Sequence, residues 1–183
     1  MNLNSTSKFN VASVKLCTKT EGPFKRCCIW FQGCNINCKG CCNKDLQPPV
    51  LKHIVSLDEL LAIVKDAKDM FEIEGITLSG GEPSLQISLK QFNDEVHKLG
   101  LGLIMFSGKE KSKLDPALVN SVDLLIDGPF VESKIDSERI LLGSTNKNLS
   151  FITDRYINEA EYFHNPVSVE EVVAEDYIFI NGD

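Results

Sequence analysis

Residues 33–42 read GCNINCKGCC and hold four of the chain's seven cysteines in ten positions. Cys34, Cys38 and Cys41 stand in the spacing C-x3-C-x2-C, with Cys42 directly behind them. Three thiolates so spaced can converge on one centre from a single loop. Structural zinc needs a closed tetrahedral set, commonly completed by a second pair of Cys or His ligands. No second pair occurs, and His53, His97 and His164 are isolated and far along the chain. A [4Fe–4S] cube ordinarily takes four cysteines, so three would leave one iron open to a substrate-like molecule. Clustered free thiols and a zinc site are the competing readings of this loop by itself. Cys42, adjacent to Cys41, points away from it in most backbone conformations and reads as a packed thiol beside the centre. Cys17, Cys27 and Cys28 read as core or lead-strand residues, and Trp30 as a core aromatic.

What surrounds the loop sets the fold class. Before it lies the strand-like CCIWF (27–31), and after it a break at Pro48-Pro49. Ser56 and Glu59 form a capping-box pattern, and Leu57, Leu60, Leu61, Val64, Ala67 and Phe71 follow at helical spacing. GITLS (75–79) is a short apolar strand running into Gly80-Gly81. Leu85, Leu89, Phe92, Val96 and Leu99 predict a second helix, closed by Gly100. LGLIMF (101–106) predicts a strand, 109–120 a helix and VDLLID (122–127) another strand. Farther on, LSFITDRY (149–156) and DYIFI (176–180) read as strands, and VSVEEVVAE as a short helix or loop.

Strands alternating with helices imply an α/β fold with a parallel sheet. A complete eight-stranded βα barrel needs about 250 residues, and this chain has 183. The expectation is an open, partial (β/α) barrel of mostly parallel strands with helices outside. It forms one domain over 1–183, with a core over about 21–156 and a less regular segment at 157–183. In such sheets chemistry sits on the loops after the strands' C-terminal ends. Cys34, Gly80, Ser107 and Asp127 each follow one of the first four predicted strands, which argues for one shared site.

Composition narrows the classes. Apolar residues at 43% and charged residues at 25% suit a globular domain. No apolar run reaches the roughly 20 residues of a membrane span, and the N-terminal stretch lacks the apolar core of a secretory signal. The expectation is a cytoplasmic protein whose thiols stay reduced. A net charge of −7 argues against nucleic acid as a partner.

Cys34-Asn35-Ile36-Asn37-Cys38-Lys39-Gly40-Cys41 resembles the CxxxCxxC signature of radical S-adenosylmethionine enzymes. EGPFKRCCIWFQGC (21–34) resembles the lead-in strand of that superfamily's small activating enzymes, and LSGGEP (78–83) is similar to their GGE motif. DLLIDGPF and GSTNKNLSFITDRY resemble later segments of the anaerobic ribonucleotide reductase activators. Together the matches cover roughly 21–156 in the same order.

The resemblance implies a [4Fe–4S] cluster held by Cys34, Cys38 and Cys41, with S-adenosylmethionine chelating the open iron. Reductive cleavage then gives methionine and a 5′-deoxyadenosyl radical, an oxidoreductase activity whose radical chemistry belongs to the cofactor. Ser79, Gly80, Gly81 and Glu82 are implied to meet the methionyl group, through backbone or the Glu82 side chain. Read alone, Gly80-Gly81 is an ordinary turn with a solvated Glu, and its place after a strand beside the cysteine loop is what favours the ligand-binding reading. Gly40, Cys41 and Cys42 occupy the positions that hold adenine through the backbone. Ser107 and Asp127 could by analogy bind the methionyl carboxylate, the ribose or a cation, though strand-end Ser and Asp also cap the next element. No side chain is singled out as catalytic.

Departures from the activators' pattern bear on the partner. Their Trp-Arg-Gly-Ser-x-Asn-Gln-Arg segment corresponds to LLGSTNKN (141–148), which keeps Gly143, Ser144 and Asn146. It carries Leu142 for the first arginine, Lys147 for glutamine and Asn148 for the second arginine. If Lys147 and Asn148 face the partner, they adjust which one docks. The resemblance implies a large glycyl-radical protein or peptide closing the open side, and a flavodoxin- or ferredoxin-type electron donor. The alternatives are radical modification of a peptide or small molecule, and a noncatalytic iron–sulfur module for electron transfer.

Overall fold

The short apolar runs become strands of one mixed sheet in the structure, a computed structural model that describes residues 7–164 and 176–177. The strands are β1 (Lys8–Thr18), β2 (Arg26–Phe31), β3 (His53–Ser56), β4 (Gly75–Gly80), β5 (Gly102–Ser107), β6 (Leu124–Asp127), β7 (Asn148–Phe151) and the two-residue β8 (Asp176–Tyr177). Their order is β3-β1-β2-β4-β5-β6-β7, with β8 against β1. Only β2·β4, β4·β5 and β5·β6 are parallel. The flanking pairs of β1 with β2, β3 and β8, and of β6 with β7, are antiparallel. The expectation of a mostly parallel sheet therefore holds for its middle and fails at both flanks.

Three helices accompany the sheet among the described residues: α1 (Leu57–Phe71), α2 (Leu89–Lys98) and α3 (Pro116–Val119). The expected capping box starts α1: the Glu59 N–H donates to Ser56 Oγ (3.3 Å) and the Ser56 N–H to Glu59 Oε2 (2.7 Å). Leu60 and Val64 of α1, and Phe92 and Val96 of α2, pack in one cluster with Ile76, Leu78, Leu103, Met105 and Leu125. Removing such side chains from water contributes roughly 1.5–3 kcal/mol each.

Several boundaries differ from expectation. The helix expected over 109–120 is a 3-10 turn at Lys111–Lys113 followed by the short α3. Asp115 caps α3 by accepting from the Ala117 N–H (2.9 Å), and Pro116 occupies its first turn, so the helix starts late. The second helix begins at Leu89, because Pro83–Leu85 forms a separate 3-10 turn. The strand expected over 149–156 stops at Phe151 and gives way to 3-10 turns over Asp154–Phe163. β1 and β3 had no clear sequence signal. Of DYIFI, Asp176 and Tyr177 pair with β1. Residues 178–180 and VSVEEVVAE lie outside the described residues.

Register divides the sheet into two faces. Along β2, Cys27, Ile29 and Phe31 point into the helix-side cluster. Arg26, Cys28 and Trp30 point the other way, level with Gly75, Thr77 and Ser79 of β4. β5 and β6 continue this inner face with Ile104, Phe106, Leu124 and Ile126. Tyr156, Phe163 and Leu142 cover part of it in a second apolar cluster. The parallel middle also brings the C-terminal ends of β2, β4, β5 and β6 to one edge of the sheet.

Candidate functional site

A cavity of about 750 Å³ lies at that edge and over the inner face. Cys34, Cys38, Gly40, Cys41 and Cys42 border it, together with Ser79, Gly80, Gly81 and Ser107. Trp30, Phe106 and Phe130 supply apolar wall, and residues 136–143 with Lys147 border the remainder. The structure thus brings most of the sequence-derived site residues to one space.

The cysteine loop is anchored at its base and looser beyond. The Gly33 N–H donates to the Leu46 carbonyl (2.8 Å), and the Cys34 N–H to the Gln47 carbonyl (2.9 Å). The Ile36 N–H points at Cys34 Sγ (3.5 Å), a donor of the kind that stabilises a thiolate. Cys34, Cys38 and Cys41 are partly exposed and Cys42 is exposed. Among the described residues no three Cys, His, Asp or Glu side chains already converge at metal-binding distance. The donor set nevertheless fits an iron–sulfur cluster: three thiols of one loop border one cavity. The buried Gln47 Nε2 on the same wall has no hydrogen-bond partner among the described residues, a donor left for an anionic group. By contrast, burial raises the Cys27 thiol to about 12 and pushes Cys28 well above its ordinary value. Burial also raises Cys17. These three stay protonated core thiols, as their positions in the sequence suggested.

The GGEP turn is welded to this loop. The Gly81 N–H donates to the Phe31 carbonyl (2.8 Å) and the Glu82 N–H to the Gly33 carbonyl (2.9 Å). Asn43 Nδ2 donates to the Gly80 carbonyl (3.2 Å). Gly80 has a φ of +102°, and a Cβ at Gly81 would overlap the Gly33 carbonyl. Both positions therefore need glycine to let two backbones meet.

Two expected contacts are turned elsewhere. Glu82 is fully buried, and its carboxylate accepts from Ser107 Oγ (2.9 Å), the Gly108 N–H (2.9 Å) and the Ser84 N–H (3.1 Å). It clamps β4 to the end of β5 and does not border the cavity. Asp127 is also buried, accepting from the Lys111 N–H (2.8 Å) and Ser150 Oγ (3.4 Å). It ties β6 to the preceding 3-10 turn at Lys111–Lys113 and to β7, and so neither borders the cavity nor caps the next element. Ser107 borders the cavity while donating to Glu82 and accepting from the Lys109 N–H (3.0 Å).

Other cavity residues escaped the sequence reading. Trp30 is half-buried on the cavity wall and not a core aromatic. The alternation Arg26, Cys28, Trp30 would have placed it there once the face of β2 was known. Lys147, read as a partner contact, borders the cavity, whereas Asn148 is exposed at the start of β7. Leu142, standing where the activators have arginine, is buried in the inner-face cluster. Glu21 also borders the cavity, and burial raises its carboxyl to about 7.

The chain's relatives agree with this chemistry. A family described as "4Fe-4S single cluster domain" matches residues 20–150. The anaerobic ribonucleoside-triphosphate reductase-activating protein of Haemophilus influenzae is 27% identical over 138 residues, 69% of this chain and 88% of that protein. The Salmonella typhimurium protein of the same name is 30% identical over 140 residues, with the same coverage of each. Among solved structures, QueE from Escherichia coli overlays with a TM-score of 0.49 at 14% identity, covering 63% of this chain and 69% of that one. With three thiols on one cavity and these matches spanning most of its length, the chain belongs to the 4Fe-4S single cluster domain family, alongside the anaerobic ribonucleoside-triphosphate reductase-activating proteins.

Proposed function

We propose that this protein is a radical S-adenosylmethionine enzyme that activates a glycyl-radical enzyme, most similar in role to the anaerobic ribonucleotide reductase activators. The observation that carries this reading is the meeting of the cysteine loop and the GGEP turn at one cavity. A simple electron carrier has no use for a substrate-sized space beside its thiols.

Cys34, Cys38 and Cys41 would hold a [4Fe–4S] cluster, which when reduced would supply the one electron needed for reductive cleavage of S-adenosylmethionine to methionine and a 5′-deoxyadenosyl radical. The chain's residues supply position and dryness. Gly81 and Ser79 offer backbone on the wall nearest the cysteine loop, which suits the methionyl end. Gly40, Cys41 and Cys42 of the cysteine loop offer backbone on the same cavity, which suits adenine. Trp30, Phe106, Phe130 and Ile36 line the space with apolar surface that keeps water from the reacting carbon. Glu82 positions Ser107 and Gly108 without touching the ligand.

The sheet ends at β7 on one side and β3 on the other, and these two do not pair. We read this as an open partial barrel whose mouth a glycyl-bearing loop of a large protein closes. A reduced flavodoxin- or ferredoxin-type carrier would supply the electron. The test is anaerobic reconstitution followed by electron paramagnetic resonance. Reduced enzyme, S-adenosylmethionine and a genomically adjacent glycyl-radical protein should give a glycyl doublet on the partner. Efficient turnover of a free small molecule, with no protein radical, would move the assignment to a small-substrate radical enzyme.

A further inference from the structure

Lys147 is a cation on the cavity wall. It borders the cavity, is half-buried, and makes no ion pair or side-chain hydrogen bond with any described residue. Burial lowers the pKa of its amine, and the charges of Cys38, Cys42, Glu82 and Cys41 oppose that only in part.

The backbone beneath it is fixed. The Lys147 N–H donates to the Ser144 carbonyl (3.1 Å), and its carbonyl accepts from Arg139 Nη1 (3.3 Å). The next residue enters β7, with Asn148 paired to Asp127. The side chain is thus delivered into the cavity from a rigid strand start.

No carboxylate of the described residues forms an ion pair with Lys147, and Glu82, Asp136 and Glu132 have other partners. Both Glu82 oxygens accept bonds from Ser84, Ser107 and Gly108. Asp136 accepts from Arg139 Nε (2.7 Å) and from the Glu138 and Arg139 N–H groups. Glu132 pairs with Lys39 (2.9 Å). Glu21 and Glu138, which also border the cavity, form no ion pair with Lys147. A half-buried ammonium with no partner is costly, and its cost is removed by a ligand that brings the anion.

We infer that Lys147 is the counter-ion for the α-carboxylate of the S-adenosylmethionine bound in this cavity. The inference rests on the proposed function, and it gives the ligand an orientation: carboxylate towards the cavity wall at the start of β7. It also assigns a role to a position where the activators' segment has glutamine. In this chain a charged contact replaces a neutral one, so the carboxylate carries more of the binding energy.

The test compares two ligands on two variants of the reconstituted holoenzyme. The ligands are S-adenosylmethionine and its decarboxylated analogue, which keeps the sulfonium, adenosine and amine. The variants are Lys147→Met and Lys147→Gln, the latter carrying the activators' own residue. Dissociation constants are measured anaerobically by calorimetry, per loaded cluster, with iron content as the check on assembly. Losing a charged hydrogen bond of this kind should weaken S-adenosylmethionine about 10- to 100-fold. The decarboxylated analogue should change less than about 3-fold, being within the scatter expected of an uninvolved site. Equal losses for both ligands, or no loss for either, overturn the inference and leave the proposed function standing. Failure of both variants to load iron also overturns it, because a ligand-binding lysine is dispensable for assembly. Cluster-loaded wild-type enzyme that does not bind S-adenosylmethionine at all overturns the proposed function and this inference with it.

Discussion

The two ends of the same parallel strands are built on opposite principles. At the N-terminal end of the inner face, Arg26 is fully buried and every donor is used. Its Nε donates to Thr77 Oγ1 (2.8 Å), Nη1 to Glu74 (3.1 Å), Tyr156 (2.8 Å) and the Pro23 carbonyl, and Nη2 to the Ile76 carbonyl (2.5 Å). Tyr156 donates in turn to Glu74 (2.7 Å), and Arg155 pairs with the other Glu74 oxygen (2.7 Å). A Cβ on Gly75 would collide with Tyr156 and Arg26, so the network needs that bare backbone. At the C-terminal end the reverse holds among the described residues: Gln47 Nε2 has no hydrogen-bond partner, Lys147 forms no ion pair, and Cys34, Cys38 and Cys41 are free thiols. One end is a saturated plug that holds the sheet, and the other is an unsatisfied cavity that waits for a ligand. Buried polar groups are normally paired, so the end that breaks this rule is where function is sought.

The contrast breaks most completely at the thiols. Replacing Cys34, Cys38 or Cys41 with Ala should abolish cluster incorporation and S-adenosylmethionine cleavage, because three ligands leave no redundancy. Cys42→Ala should keep the cluster, since Cys42 is exposed and outside the ligand set. Iron content and visible absorbance after reconstitution check both. Iron loss in Cys42→Ala equal to that in Cys41→Ala would put the ligand set elsewhere.

Gly81→Val comes next. From sequence such a side chain intrudes on the methionyl group and spares the cluster. The structure changes that expectation, because the new Cβ would overlap the Gly33 carbonyl at the root of the cysteine loop. The variant should lose most of its iron as well as its cofactor affinity. Full iron loading with weakened cofactor binding would restore the simpler reading.

The plug should fail in a different currency. Arg26→Met leaves Glu74 and Tyr156 without their main partner and should destabilise the protein by roughly 3 kcal/mol. Urea unfolding of the cluster-free protein measures this. Whatever fraction remains folded should still load iron, because the plug lies at the far end of the strands. A variant that is stable yet cannot hold a cluster would show that the two ends are coupled.

The smallest effect lies at Glu21, on the cavity wall. Burial raises its folded carboxyl to about 7, against an unfolded value of about 4.3. The folded state therefore binds the extra proton, and the group's favourable contribution is present below the unfolded value and lost as pH rises towards 7. Glu21→Gln should stabilise the cluster-free protein near pH 8 and change little near pH 4. With the group partly exposed, the gain should stay below about 1 kcal/mol. Thermal unfolding at the two pH values decides it, and a gain confined to pH 4 would reverse the assignment.

The sequence was most legible where a local rule acts within a few residues. The Ser56 capping box, the strand endings at Gly80 and Ser107 and the three-cysteine spacing were all readable because each depends on near neighbours. It was least legible where distant segments decide. In Lys8–Thr18 the apolar alternation of Phe9 and Val11 slips by one residue before Val14 and Leu16, and only pairing with β2 and β3 resolves that break as a bulge within one strand. Residues 109–120 have helical composition, yet Pro116 and the Asp115 cap confine the α-helix to one turn.

The same division runs through the site. The chain's own order of residues determined that three thiols share one loop, that a glycine turn follows the next parallel strand, and that both fall at one sheet edge. Only the tertiary structure decided which side chains remain free there. Glu82 looked like a ligand and is spent on Ser107 and Gly108. Trp30 looked like core and lines the cavity, and Lys147, about a hundred residues from the cysteine loop, stands beside it. The physical reason is that residue type and spacing set what a side chain can bond to, whereas the partners it has already found are set by elements that meet only on folding.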